Sequence, residues 1–249
     1  MALLAESLTL QGIYVVVCAA VHLLFALSLK HTFPALKTWT KNQRLASYNR
    51  GVSTLHAMYM FFHTIKYFIY VNPGFEIQPD VNGISPLTRH LLDSMMGYLW
   101  YDVAVELVGT RQTDTLLHHV LGLASHMSSR MSNNTAAGFY SMFVYIAEGS
   151  TPSLNLSWFM HQLKVGGSPF LLVAASLLLT FFLFRIVQGP LLLLHLYLHR
   201  DQWGDAGGTG LYWGNFAVIL IFVGLNFVWF TKLVALAMRN ADNNKDKGR

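Results

Sequence analysis

Apolar residues gather in windows of about 20, each long enough to cross a ~30 Å hydrocarbon core. Five of these windows, 9–29, 51–71, 89–108, 168–197 and 210–236, are strongly apolar. Two more, 115–131 and 136–156, carry polar residues: His118, His119, Ser125 and His126 in one, Glu148 in the other, which Gly149 and Pro152 also break. An ionisable group at mid-helix costs roughly 2.5–3.5 kcal/mol in lipid, so such groups usually turn toward a protein interior or a wet cavity. Read that way, both windows are spans with polar inner faces. The pattern predicts an all-α integral membrane protein of seven transmembrane helices.

The basic residues test that count. With seven spans, Lys30, Lys37, Lys41, Arg44, Arg50, Arg111, Lys164, Lys232, Arg239, Lys245, Lys247 and Arg249 fall on one side, and only Arg89, Arg130 and Arg200 on the other. Twelve against three fits the positive-inside rule with the N-terminus lumenal and the C-terminus cytosolic. Six spans would put the basic loops and the basic tail on opposite faces. The net charge of +5 is therefore read as a topology signal, not as a nucleic-acid footprint. No cleavable signal peptide is evident: the first apolar run follows Glu6, has no basic residue before it and is long enough to span.

Composition narrows the choice further. Of 249 residues, 53% are hydrophobic and 12% charged, against about 25% charged in a typical soluble domain. One cysteine, Cys18, excludes an intrachain disulfide and leaves a cysteine metal site unsupported. The segment 72–88, rich in Pro, Gly, Asn and Asp, reads as a lumenal loop, and the tail 241–249 as disordered. Asn133-Asn134-Thr135 is a glycosylation sequon expected to be unused so close to the membrane. Lys245 and Lys247 resemble a dilysine retrieval signal of the endoplasmic reticulum, a solvated basic tail being the alternative.

Taken in their predicted directions, several spans bring polar groups to one depth. His56, Asp102, His118, His119, Glu148 and Asn226 agree in level within a turn or two at about 1.5 Å per residue. Helical spacing extends the faces: Ser53, Tyr59, Met60 and His63 with His56, and Gly122, Ser125 and Ser129 with His118. His119 and His126, seven apart, share a face as well. Arg185 lies deep in span six and is expected to pair with a carboxylate or with backbone carbonyls. Packing is the default reading for His22, His195 and His199, and it leads for His63 and His126. For the His118-His119 pair the polar neighbours at its own depth reverse that order. Asp102 and Glu106, near a helix end, could instead snorkel to water. Close-spaced histidine clusters of the membrane di-iron type are absent, so no metal is expected. A seven-helix receptor is disfavoured by the lone Cys18 and by the lack of Asn-Pro-x-x-Tyr in span seven.

Six motifs in order resemble the TLC domain, which is shared by translocation-associated membrane proteins, ceramide synthases and the ceroid-lipofuscinosis membrane protein. They are Arg50 to His56, Tyr98 with Tyr101 and Asp102, His118-His119, Glu148 to Trp158 (containing Asn155), Phe184-Arg185, and Asn226 with Trp229 and Lys232. The similarity runs from about residue 45 to 236. The layout expected is a first helix and basic linker over 1–44, the TLC domain over 45–238 and a basic tail over 239–249. The resemblance implies a barrel of the last six helices around a lipid-sized cavity open to the cytosol. It also implies His118 as nucleophile toward acyl-CoA, His119 as its partner and a carboxylate such as Asp102 orienting the ring. Ceramide synthases carry a His-Asp downstream of the pair; this chain has none between Tyr140 and Glu148, which leaves Glu148 as a stand-in and weakens the case for a sphingoid amine as acceptor.

The functional expectation is lipid metabolism or homeostasis in the endoplasmic-reticulum membrane. His118, His119, Asp102 and Glu148 are the catalytic candidates. Ser53, His56, His63, Ser125, His126, Asn155, Arg185 and Asn226 are the lipid-binding candidates. A membrane lipid or acyl chain is the expected partner, acyl-CoA the candidate substrate and a second copy of the chain a further candidate partner; no cofactor and no nucleic acid are expected. The alternatives are a noncatalytic lipid-binding regulator of membrane composition and a trafficking or translocation adaptor.

Overall fold

The computed structural model describes residues 2–77, 83–109, 113–204 and 206–246, and these are helical almost throughout, with no strand among them. The helices are α1 (Ala2–Thr32), α2 (Lys41–Lys66), α3 (Pro86–Val108), α4 (Thr113–Ser132), α5 (Thr135–Tyr145), α6 (Thr151–Gln162), α7 (Gly167–Phe181), α8 (Gln188–Leu198) and α9 (Ala206–Asp246). Tyr67–Val71 prolongs α2 as a π turn, Ile146–Ser150 joins α5 to α6 as a 3-10 turn, and Phe182–Val187 joins α7 to α8 as a second π stretch. Apart from short 3-10 helices at Pro34–Thr38 and Arg200–Trp203, the described residues thus form seven long helical runs, one over each apolar window. Three of them, Leu4–Leu29, Gly167–Leu198 and Gly208–Met238, are long and apolar enough to cross a membrane by composition alone.

Local signals explain where the runs begin and bend. Thr40 caps α2 in a reciprocal capping box with Gln43, Ser85 caps α3 just before Pro86, and Asn134 caps α5. Pro190 has no N–H for the carbonyl of Ile186, and its ring crowds that turn; the π stretch that ends at Val187 relieves the conflict. Pro152 is tolerated because it occupies the first turn of α6, where its N–H would be unpaired anyway. The tail differs from expectation: α9 continues to Asp246, since each residue added to an existing helix gains a bond without a new nucleus. Lys247, half of the retrieval signal expected from sequence, lies outside the described residues, as do 78–82 of the 72–88 loop.

Packing closes six of the seven runs into a ring. Run α2 touches α3, α3 touches α4, α4 touches α9, α9 touches α7 and α8, α7 touches α6, and α6 returns to α2. Helix α1 stands outside the ring against α3 and α2. It approaches α3 closely at Gly97, where a Cβ would fall 2.7 Å from the carbonyl oxygen of Gln11. Much of its surface is apolar and exposed, including Leu8, Val16, Leu23 and Leu24, as suits a helix facing lipid.

Candidate functional site

Inside the ring lies a cavity of about 490 Å³, lined by residues from all six of its runs and none from α1. That falls within the ~300–1,000 Å³ usual for ligand pockets. On α9 the lining runs from Ile219 to Leu233, about 20 Å at the helical rise. One end carries Asp114 and Lys232, whose side chains are 42% and 66% exposed, so the cavity opens there. The far end is walled by Met95, Leu192 and Ile219, all buried. Polar groups crowd the half nearer the mouth.

At the centre of that polar half, Nδ1 of His119 lies 2.8 Å from Oδ2 of Asp102. The other carboxylate oxygen accepts from Nδ2 of Asn49 at 2.6 Å. A carboxylate has no proton to give, so the Asp102 charge at this ion-pair distance, outside hydrogen-bond alignment, favours a proton on Nδ1 and leaves Nε2 of His119 as the basic nitrogen. His119 lines the cavity, and its Nε2 has no protein partner among the described residues. Asp102 and Glu106 do not snorkel; both are buried. Desolvating a carboxylate is costly, and the Asn49 hydrogen bond from α2 together with the His119 ring of α4 at ion-pair distance offsets that cost.

His118 has a different setting. Its ring packs against Phe222 at 4.5 Å and Trp229 at 5.5 Å between centroids, and its buried Nδ1 has no hydrogen-bond partner among the described residues. The two histidine rings are 5.4 Å apart. Trp229 also donates its indole N–H to Asp114 at 3.0 Å, and Lys232 stands 3.6 Å from the same carboxylate. The Trp229 hydrogen bond is the main reason the Asp114 carboxyl is held below the usual carboxylate range at the mouth.

Arg185 departs from expectation. It meets no carboxylate within ion-pair distance among the described residues. Its guanidinium donates instead to Ser150 Oγ (2.7 Å), Thr151 Oγ1 (3.2 Å) and Asn226 Oδ1 (3.3 Å), and it lies over the Phe181 ring. Thr151 passes the connection on, donating to Glu148 Oε2 at 2.9 Å. The 3-10 turn between α5 and α6 makes this possible by lining up Glu148, Ser150 and Thr151 toward the π stretch that carries Arg185. A planar five-donor fork suits several neutral acceptors as well as it suits one carboxylate.

The other expected residues divide. Ser53, His126, Asn155, Asn226 and Glu148 line the cavity. Asn155 also ties α6 to α2, donating to Thr54 Oγ1 and the Arg50 carbonyl and accepting from the Arg50 guanidinium at 2.8 Å. Three residues are off the wall. His56 is stacked on Tyr98 (centroids 4.0 Å apart, planes 12° apart), and Tyr98 faces the cavity in its place. His63 packs on Tyr59, because the α2 lining ends at Ser53, before the helix reaches it. Ser125 turns to the α4–α9 contact and donates to Asn215, since each residue rotates the helix by about 100°. Asn49 escaped notice in the sequence, although its spacing to Ser53 and His56 places it on the same helical face.

No curated protein and no solved structure matches the chain. Among protein families, the TLC domain matches residues 47–235, a stretch that takes in most of the ring, all but the first residues of α2 and the last of α9, and leaves α1 outside. The chain belongs to the TLC-domain family, whose membrane proteins associate with lipids and serve lipid-related functions.

Proposed function

We propose that the cavity binds an acyl chain and transfers an acyl group from acyl-CoA to a lipid amine or hydroxyl in the endoplasmic-reticulum membrane. The observation that carries this reading is the Asp102–His119 contact inside a cavity open at its polar end and closed at its apolar end. Nε2 of His119 attacks the thioester carbonyl; the C–N bond forms, the C–S bond breaks, and the CoA thiolate leaves through the mouth. Asp102 stabilises the imidazolium that results. The acceptor then attacks the acyl-imidazole and restores the neutral ring, its proton passing to Glu148, one of whose oxygens accepts from Thr151. The resemblance assigns the acyl group to His118, whereas the Asp102 contact favours His119. The basic-residue asymmetry supports seven crossings with the mouth and the C-terminus cytosolic.

The test is intact mass measurement of purified protein incubated with decanoyl-CoA, whose chain matches the depth from His119 to the closed end. The reading predicts an acyl adduct that His119→Ala abolishes. An adduct that survives both His118→Ala and His119→Ala refutes histidine acylation. Bound lipid with no adduct in the native chain leaves a lipid-binding regulator.

A further inference from the structure

Below the reactive level the cavity is not uniformly apolar. On α4, His126 lies seven residues beyond His119, about 10 Å deeper at the helical rise. It is only 6% exposed, and its Nδ1 meets the Tyr145 hydroxyl at 3.4 Å. Its Nε2 has no protein partner among the described residues, although the residue lines the cavity. Tyr145 lines the same reach from α5, as does Gln188 from the start of α8. The Gln188 amide N–H₂ is taken by the Phe143 carbonyl at 2.9 Å, which leaves its Oε1 to accept. A purely hydrocarbon tail would desolvate these atoms and return no hydrogen bond to them.

We infer that His126, Tyr145 and Gln188 form a second recognition layer at the floor of the cavity, level with Met95, Leu192 and Ile219, that reads an oxygenated acyl chain of about ten carbons, one bearing a hydroxyl at its far end. The inference rests on the acyl-chain reading of the cavity. If the Tyr145 hydroxyl donates to Nδ1, Nε2 of His126 carries a proton and can donate to the chain oxygen. That hydroxyl can in turn donate to Gln188 Oε1. A ketone, which only accepts, fits the pair less well. An extended chain advances about 1.2 Å per bond, from roughly 3.6 Å per three-bond residue, so 10 Å places the oxygen some eight to nine bonds beyond the acyl carbonyl.

The experiment is displacement of radiolabelled decanoate from the purified full chain by 10-hydroxydecanoate, 2-hydroxydecanoate or unlabelled decanoate. The layer predicts that 10-hydroxydecanoate displaces at about three- to tenfold lower concentration than decanoate, the value of one net hydrogen bond. 2-Hydroxydecanoate should show no such advantage. The ratio between 10-hydroxydecanoate and decanoate, each read on the same variant, should fall to one in His126→Phe and shrink in Tyr145→Phe, with a cooperative thermal unfolding transition as the sign of an intact fold. If His126→Phe fails to fold, Tyr145→Phe carries the test, since it removes one oxygen at nearly constant volume. Equal displacement by all three acids, or a preference that survives both substitutions, overturns the inference and marks the layer as hydrated. Failure of decanoate itself to bind the native chain removes the acyl-chain reading along with it.

Discussion

Helix α3 carries two buried aspartates with opposite uses. Asp93 is wholly enclosed: the Ser7 hydroxyl from α1 donates to one oxygen, and Arg130 from α4 stands 3.3 Å from the other. Gln11 donates to Ser7 and accepts from Trp100, which completes a closed network that stays off the cavity. Asp102 likewise has two neighbours, the Asn49 amide that donates to it and the His119 ring at ion-pair distance, but that histidine lines the cavity and its Nε2 meets no protein partner among the described residues. A carboxylate whose network ends in satisfied atoms fastens helices. One whose network ends in a nitrogen without a partner is poised for a ligand. Burial and pairing alone do not separate the two; the atom left over does.

Breaking the closed network should have the largest energetic effect. Arg130→Ala strands Asp93 without its counter-charge, and about 3–5 kcal/mol of stability should be lost in thermal unfolding of the detergent-solubilised protein. Acyl-adduct formation per folded molecule should be unchanged. Asp102→Asn should do the reverse. Adduct formation should slow about a hundredfold, as for loss of a positioned acid–base partner, while the unfolding midpoint moves little because the amide can still pair with Asn49. Ser7→Ala removes a single buried donor to Asp93 and should cost about 1–2 kcal/mol, loosening α1 without touching the cavity. The smallest effect belongs to the mouth. Asp114→Asn, which loses the exposed partner of Lys232, should cost less than about 1 kcal/mol. Since the Asp114 carboxyl is depressed in the folded chain, its contribution is complete above the ordinary carboxylate range and fades as the pH falls through its folded value. The difference between native and Asp114→Asn should therefore shrink on acidification.

The sequence was most legible where a single helix decides the outcome. Every apolar window became one helical run, and Asp102, His119, Glu148 and Asn226, placed near one level by helical rise, all line one cavity. Legibility failed where rotation and neighbours decide. Ser125 and His126 are adjacent, yet one meets α9 and the other the cavity. Arg130, counted among the few lumenal charges, is buried against Asp93, a partner 37 residues away that no local pattern reveals. Arg185 found hydroxyls in place of a carboxylate because a 3-10 turn and a π stretch, both set by where Gly149, Pro152 and Pro190 fall, brought Ser150 and Thr151 to it.

The central claim, that the ring encloses an acyl chain with its reactive end at His119, is tested most directly by photo-crosslinking. A fatty acid bearing a terminal diazirine would be irradiated in the purified full chain and the labelled residues mapped by peptide mass. The account predicts label on the closed end of the cavity, at Met95, Leu192 or Ile219, with unlabelled fatty acid competing it away. Label confined to the lipid-facing surface of α1 and the outer faces of the ring would contradict it.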